Sequence, residues 1–268
     1  MYALDERVWS AVRVWKWPSG RQLLSVPITD FLSVVGLSPD GRACAVAEND
    51  GRLRVFEVVS GGERAAFRHG SQIDAVAFHP DGTKLAASSP EAPVYVWDLL
   101  GEPGKWDPAK ANAVWANLGS ADAKAALTAM QVLRANPAEA VAFLRERPPL
   151  PPAPTDERLA GLLKRLDAPA FADRERAQKD LATVVEWVRP KLEAARKTAS
   201  EEAGRRIDQV LKSSDSLTSE QLRQVRACEV LEGIRTPDAI GLLRAWAAGP
   251  AGARLTIEAK ESLDRLKP

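Results

Sequence analysis

Residues able to do acid–base, nucleophilic or metal chemistry are few in this chain, and their spacing limits what they can do. Only His69 and His79 supply imidazoles, and only Cys44 and Cys228 supply thiols. A metal site needs clustered ligands, yet no Cys-x-x-Cys, His-x-x-x-His or acidic calcium loop occurs. The G-x-S-x-G elbow, the phosphate loop and G-x-G-x-x-G are missing too, and Ser60-Gly61-Gly62-Glu63 is too short to cradle a phosphate. Glu201 beside Glu202 reads as the acidic first turn of a helix, at the positive end of its dipole. The pairs Arg174 with Arg176 and Arg205 with Arg206 could contact phosphate, although solvated helix faces explain them more simply. Cys44 lies on a strand pattern and Cys228 on a distant helix pattern, so both read as buried free thiols. The expectation is no catalytic residue, no cofactor and no metal, and therefore no enzyme.

What does recur at a fixed interval is a set of turn carboxylates and the strands around them. Ser38-Pro39-Asp40-Gly41 and His79-Pro80-Asp81-Gly82 stand 41 residues apart, each between two alternating apolar runs. Val12-Arg13-Val14-Trp15, Leu53-Arg54-Val55-Phe56 and Val94-Tyr95-Val96-Trp97 end at 15, 56 and 97, the same step of 41. Strands and Asp-Gly turns at a period of about 40 to 45 residues are what one four-stranded propeller blade requires.

These residues resemble the WD-repeat family. Ile73-Asp74-Ala75-Val76-Ala77-Phe78-His79-Pro80-Asp81-Gly82 with Lys84-Leu85-Ala86-Ala87-Ser88 and Val94-Tyr95-Val96-Trp97-Asp98 carry its pattern almost intact, with His79 in place of serine. The resemblance makes Trp15, Asp40, Gly41, Asp50, Phe56, His69, Asp81, Gly82, Trp97 and Asp98 the residues that hold the blades together. His69 stands for the family's Gly-His pair, with Arg68 in place of the glycine. The turn aspartate expected six residues before the tryptophan is Asp50 in one repeat and Glu91 in the next. Phe56-Glu57 replaces Trp-Asp, and Ile28 occupies a histidine position. The blades are thus divergent, held more by apolar packing than by a polar network.

Tyr2 to Glu6 stands from Trp15 as Lys84 to Ser88 stands from Trp97, so it reads as a second strand. A full blade follows near 31–37, 42–47, 52–57 and 63–68, and then strands near 73–78, 84–88 and 93–98. The chain therefore holds under three blades, whereas a closed ring takes about four to eight. Open edges and uncovered blade faces invite association, so self-association through them is expected.

After Asp98 the apolar period changes from two to 3.6, through a connection rich in glycine and proline over 99–108. Helices are expected near 109–118, 120–135, 137–146, 156–166, 171–187, 190–198, 200–213, 219–234, 237–248 and 256–266. Asn136-Pro137 and Thr236-Pro237 pair a cap residue with proline at the first helical position, and Thr218 with Gln221 forms a capping box. Leu222, Val225, Cys228 and Leu231 make one apolar stripe, and Leu242, Leu243 and Trp246 another. Stacked helices of this kind make an α-solenoid. Leu162 to Leu181 resembles a HEAT repeat, although Asp173 takes an apolar position. Arg147 to Pro154, with five prolines, reads as a stiff extended linker over 147–154.

The fold expected is thus β plus α in two domains, a partial WD40 propeller at 1–104 and an all-α HEAT-like domain at 105–268. Trp115-Ala116-Asn117-Leu118, Ala140 to Arg147, Val225 to Glu232 and Ala253 to Ala259 resemble the C-terminal region of bacterial, planctomycete-type WD40-repeat proteins. That resemblance implies architecture and an interaction role. Lys plus Arg number 37 against 36 for Asp plus Glu, so no field favours nucleic acid or membrane. No stretch has 18 apolar residues and Met1 to Glu6 is no secretory signal, which favours a cytoplasmic protein. Eight tryptophans are present, with Trp17 and Trp106 singled out for a contact between the two domains and Trp9 flanking the first repeat. The reading is a non-catalytic scaffold that binds protein partners. A non-catalytic part of a longer enzyme or signalling protein, and a nucleic-acid-binding solenoid, are the alternatives.

Overall fold

The computed structural model describes residues 2–5, 11–18, 20–28, 31–102, 104–147, 154–213, 217–250 and 252–267. Trp9 and the linker prolines at 148, 149, 151 and 152 fall outside them. Ten strands come first: β1 (Tyr2–Asp5), β2 (Ala11–Lys16), β3 (Arg21–Pro27), β4 (Leu32–Leu37), β5 (Ala43–Glu48), β6 (Arg52–Glu57), β7 (Glu63–Arg68), β8 (Ala75–Phe78), β9 (Lys84–Ser89) and β10 (Ala92–Asp98). They make three antiparallel sheets, β1-β2-β3, β4-β5-β6-β7 and β8-β9-β10. The strand β3 is an addition to the sequence reading, which marked no element between Trp15 and residue 31.

Alternation along each strand explains how the sheets layer. In β5, Cys44 and Val46 join Val12, Val14, Leu24, Val26, Phe56 and Val58 in one core. The intervening Ala43, Ala45 and Ala47 join Leu53, Val55, Ile73, Leu85 and Ala87 in a second. The middle sheet is thus apolar on both faces and buried on both, which is why β5 reads as a nearly continuous apolar run. The repeat extends to irregularities. A register shift falls between Val14 and Trp15 in β2 and at the equivalent Val55 and Phe56 in β6.

Nine α-helices follow among the described residues: α1 (Ala111–Leu118), α2 (Ala123–Ala135), α3 (Pro137–Arg145), α4 (Asp156–Arg165), α5 (Phe171–Arg196), α6 (Glu201–Ser213), α7 (Ser219–Ile234), α8 (Pro237–Ala247) and α9 (Arg254–Arg265). The chain divides into two compact units, Met1–Ala140 and Val141–Pro268. Secondary structure changes type near residue 104, where the sequence reading set its boundary, but the compact division lies 36 residues later, at 140. The reason is that α2 packs on β7. Ala123 closes on Gly62, Lys124 pairs with Glu63 at 3.1 Å, and Asn136 donates its side-chain amide to Gly104 O at 3.0 Å. That amide also bonds Val132 O, so it closes α2.

Within the second unit α5 packs on α4 and α6, while α7, α8 and α9 pack on one another. Two helices expected at 171–187 and 190–198 are one, with Pro190 inside it. An interior proline costs about 3 kcal/mol. Against that, Leu181, Val185, Val188 and Leu192 continue a single buried stripe across it. Each such side chain contributes about 1.5 to 3 kcal/mol on burial, enough to carry the helix through. The capping box of α7 forms, with Gln221 N donating to Thr218 Oγ1 at 3.2 Å and Thr218 N to Gln221 Oε1 at 2.8 Å. Arg235 ends that helix at φ 59°, in the left-handed region that favours glycine.

Candidate functional site

The turn carboxylates do structural work. In the first turn Asp40 Oδ1 accepts from Arg42 N at 3.0 Å and from Ser38 Oγ at 2.5 Å, and Ser38 Oγ in turn accepts from Ala43 N at 2.8 Å. In the second, Asp81 Oδ1 accepts from Thr83 N at 2.8 Å and Thr83 Oγ1 at 2.6 Å, with His79 Nδ1 2.7 Å away. Gly41 and Gly82 both take φ 71°. Slight burial pushes the Asp81 carboxyl up, but the Thr83 hydroxyl and amide and the His79 imidazole outweigh it and hold it at about 2.

Asp50 caps the β5–β6 turn by accepting from Arg52 N at 2.9 Å, and its other oxygen meets Arg68 at 3.2 Å. Beside it Gly51 has φ 77° and lies so close to the carbonyls of His69 and Ser71 that a Cβ would collide with both. His69 is buried, its ring edge-on to Tyr95 at 4.8 Å and to Trp97 at 6.2 Å. Trp97 stacks on Phe67 at 5.2 Å and on Tyr95 at 5.9 Å. His69 Nδ1 lies 3.4 Å from Ser71 Oγ, which bonds Ser89 Oγ, while Nε2 has no hydrogen-bond partner. An aromatic cluster therefore stands where a complete polar network would be. Phe56 is buried between the first two sheets with the Arg54 guanidinium 5.1 Å over its ring, whereas Trp15 is half-buried. Asp98 is exposed and accepts from Leu100 N and Gly101 N.

Buried ion pairs were not legible in the sequence. Glu48 and Glu57 are fully buried, paired with Arg54 at 2.8 Å and Arg64 at 2.7 Å. Their only signal is that each closes a strand whose other residues are apolar or basic. On α7 the apolar stripe is as expected, but Gln224, Arg226, Glu229 and Glu232 are buried as well. Glu232 takes a forked pair from Arg265 at 3.0 and 3.1 Å, and Arg265 also reaches Glu258 at 3.3 Å. That helix is enclosed nearly all round, so no polar face remains to show on its wheel.

Three of these four arginines are engaged within the fold, and Arg176 is exposed. Arg174 donates to Ala168 O and Pro169 O, Arg205 to Glu202, and Arg206 to Glu202 and Gln178. The Arg206 hydrogen bond, outweighing desolvation, holds the Glu202 carboxyl below its ordinary range. Arg174 and Arg206 also flank the exposed Phe171 ring at 5.8 and 5.6 Å. Cys44 and Cys228 are buried thiols, and burial pushes the Cys44 thiol up to about 12. Among the described residues no group of three acidic, histidine or cysteine side chains could hold a metal. Among those residues no helix is long and apolar enough to cross a membrane.

What the arrangement does offer is surface. Val94 and Val96 on β10 are each 63% exposed, and Ala75 and Ala77 on β8 are exposed with them. Trp17 stands exposed at the β2–β3 turn, which projects it away from the sheet core.

No family model matches the chain. Over 74 residues it is 38% identical to autophagy-related protein 18 of Schizosaccharomyces pombe, covering 26% of this chain and 20% of that protein. Over 93 residues it is 27% identical to pre-rRNA-processing protein IPI3 of Mycosarcoma maydis, covering 34% of this chain and 16% of that one. The chain thus spans a fifth or less of the length of these curated relatives. Among solved structures, Kluyveromyces lactis Hsv2 is similar at 22% identity and a TM-score of 0.34, covering 37% of this chain and 34% of that one. The computationally designed Ika4 protein is similar at 19% identity and a TM-score of 0.30, covering 36% of this chain and 64% of that one.

Proposed function

We propose that the chain is a non-catalytic scaffold, its WD-type blades in residues 1–104 and its HEAT-like helices in 105–268 presenting surfaces to protein partners. The observation that carries this reading is the third sheet. Val94 and Val96, each 63% exposed, occupy the repeat positions at which Leu53 and Val55 are 0% and 2% exposed in the middle sheet. An apolar blade face with nothing on it is a surface suited to another protein. The finer resemblance, to bacterial WD40-repeat proteins with a helical tail, rests on the motifs quoted from the sequence and agrees with an interaction role. The short similarities to an autophagy-related and a pre-rRNA-processing protein are compatible with such a role and select neither process.

Hydrophobic-dye fluorescence and light scattering on the full chain test the reading. The wild type should bind dye and associate as concentration rises, and Val94→Lys with Val96→Lys should cut the dye signal by about threefold or more. A dye-silent, monomeric wild type would mean that the face is covered from within, removing the support.

A further inference from the structure

The step of 41 residues lets the missing neighbour of β10 be read from the neighbour that β6 has. From Tyr95 to Asp98 β10 keeps the register of β6, with Phe56 onto Trp97 and Glu57 onto Asp98; a bulge between Ala92 and Tyr95 interrupts it, and the turn acid Asp50 corresponds to Glu91 by the sequence step. In the middle sheet β7 lies beside β6, with Arg52 opposite Arg68, Leu53 opposite Phe67 and Val55 opposite Ala65. Two arginines of β7 meet the acids at either end of β6. Arg64 lies 2.7 Å from Glu57, both buried, and Arg68 lies 3.2 Å from Asp50, nearer solvent. β10 keeps both acids, but among the described residues no strand lies on its outer side. Among the described residues neither Glu91 nor Asp98 has an ion-pair partner, and Asp98 accepts only from Leu100 N and Gly101 N. The first sheet supplies an internal control. There β2 ends in Lys16 at the Glu57 position, and β3 carries Leu23 where β7 carries Arg64.

We propose that the outer edge of β10 is a strand-addition site for an extended segment of a partner protein that carries two arginines four residues apart. Those arginines pair with Asp98 and Glu91, and small or apolar residues between them run along Val94 to Trp97. Main-chain hydrogen bonds supply the affinity of such an added strand and the charges set its register. Val94 to Trp97 has no charge and no proline to block addition, while Pro93 before it has no amide to give, so the main-chain ladder is confined to Val94 and beyond. A second copy of the chain is disfavoured in the register that pairs the whole strand. Antiparallel pairing of β10 with itself about Tyr95 brings Asp98 of one copy beside Ala92 and Glu91 of the other, acid near acid at both ends. The inference rests on the interaction reading and narrows it to one edge and one kind of partner.

The test uses the full chain and a synthetic peptide copying residues 62 to 69, followed by tryptophan fluorescence at low salt with calorimetry. The peptide should bind saturably, and the same peptide with glutamate at both arginine positions about tenfold or more weaker. On a Glu91→Lys, Asp98→Lys chain the order should reverse. Both positions are exposed, and circular dichroism checks the fold. Asp98→Asn, which keeps the acceptor for Leu100 and Gly101, should lose affinity for the arginine peptide alone. Equal affinity for the two peptides, or none below about 1 mM, overturns the proposal. So does a dimer of the unliganded chain that the peptide dissociates, because a second copy would then hold the edge. A chain that binds neither peptide yet keeps the dye-binding Val94 and Val96 face defeats this inference alone. A chain that shows neither defeats the interaction reading with it.

Discussion

The middle and third sheets are built from the same repeat, yet they live in different surroundings. Leu53 and Val94, or Val55 and Val96, are equivalent residues of similar size on equivalent strands, and one pair is buried while the other is not. The difference lies in the neighbours. Among the described residues, the middle sheet has another sheet on either face and α2 along its outer strand, whereas the third has a sheet on one face only and no fourth strand. Repeat sequences therefore encode strands and turns locally, while burial, and with it stability, is decided by what stacks alongside.

The sharpest way to break that comparison is to truncate equivalent side chains. Leu53→Ala removes a fully buried side chain and should destabilise the first unit by about 2 to 5 kcal/mol, whereas Val94→Ala should change stability by less than about 0.5 kcal/mol. Chemical denaturation followed by tryptophan fluorescence measures both. Comparable losses would mean that a covering element shields the outer face of the third sheet in solution.

A smaller effect separates the two faces of β10. Trp97 points to the side occupied by Phe67 and His69, the opposite side from Val96. It is half-buried, so Trp97→Ala should cost about 2 to 3 kcal/mol, less than the roughly 3 to 5 of a fully enclosed aromatic. Phe67→Leu should lower that penalty, since the two rings stack, and a double-mutant cycle reads the coupling. If Trp97→Ala proved silent, the inner face of the third sheet would be no better packed than the outer.

Much of this contrast was visible in the sequence, because the repeat of 41 positions marks strands through alternation and turns through Asp-Gly. Strands at 31–37, 52–57 and 63–68 and the capping box at Thr218 follow from local rules that tertiary contacts did not override. What was hidden depends on contacts between distant segments. β3 has weak alternation and became a strand by pairing with β2. Pro190 marked a break that the buried stripe from Leu181 to Leu192 carries across. Glu48 and Glu57 each close a strand, and only their arginine partners permit their burial. The exchange of Glu57 and Arg64 for Lys16 and Leu23 was in the sequence from the start. It gained meaning once the register paired those strands.

The smallest effect distinguishes the two Asp-Gly turns, which share a backbone but differ in what surrounds the carboxylate. Asp40 is held by Ser38, itself buried, and by the Arg42 amide, while Asp81 is held in the open by Thr83 and His79. The folded-state pKa of Asp81, about 2, lies below the ordinary unfolded value of about 3.9. A depressed carboxylate contributes stability that is fully present above the unfolded value and is lost as pH falls through the folded one. The window is therefore from about pH 4 down to about pH 2. Because the side chain is nearly half exposed, screening should keep the contribution under about 1 kcal/mol. The stability difference between the wild type and Asp81→Asn should thus be flat above pH 4 and shrink towards zero by pH 2. A difference that instead persists undiminished at pH 2 would show that Asp81 supports the turn through its shape and not through its charge.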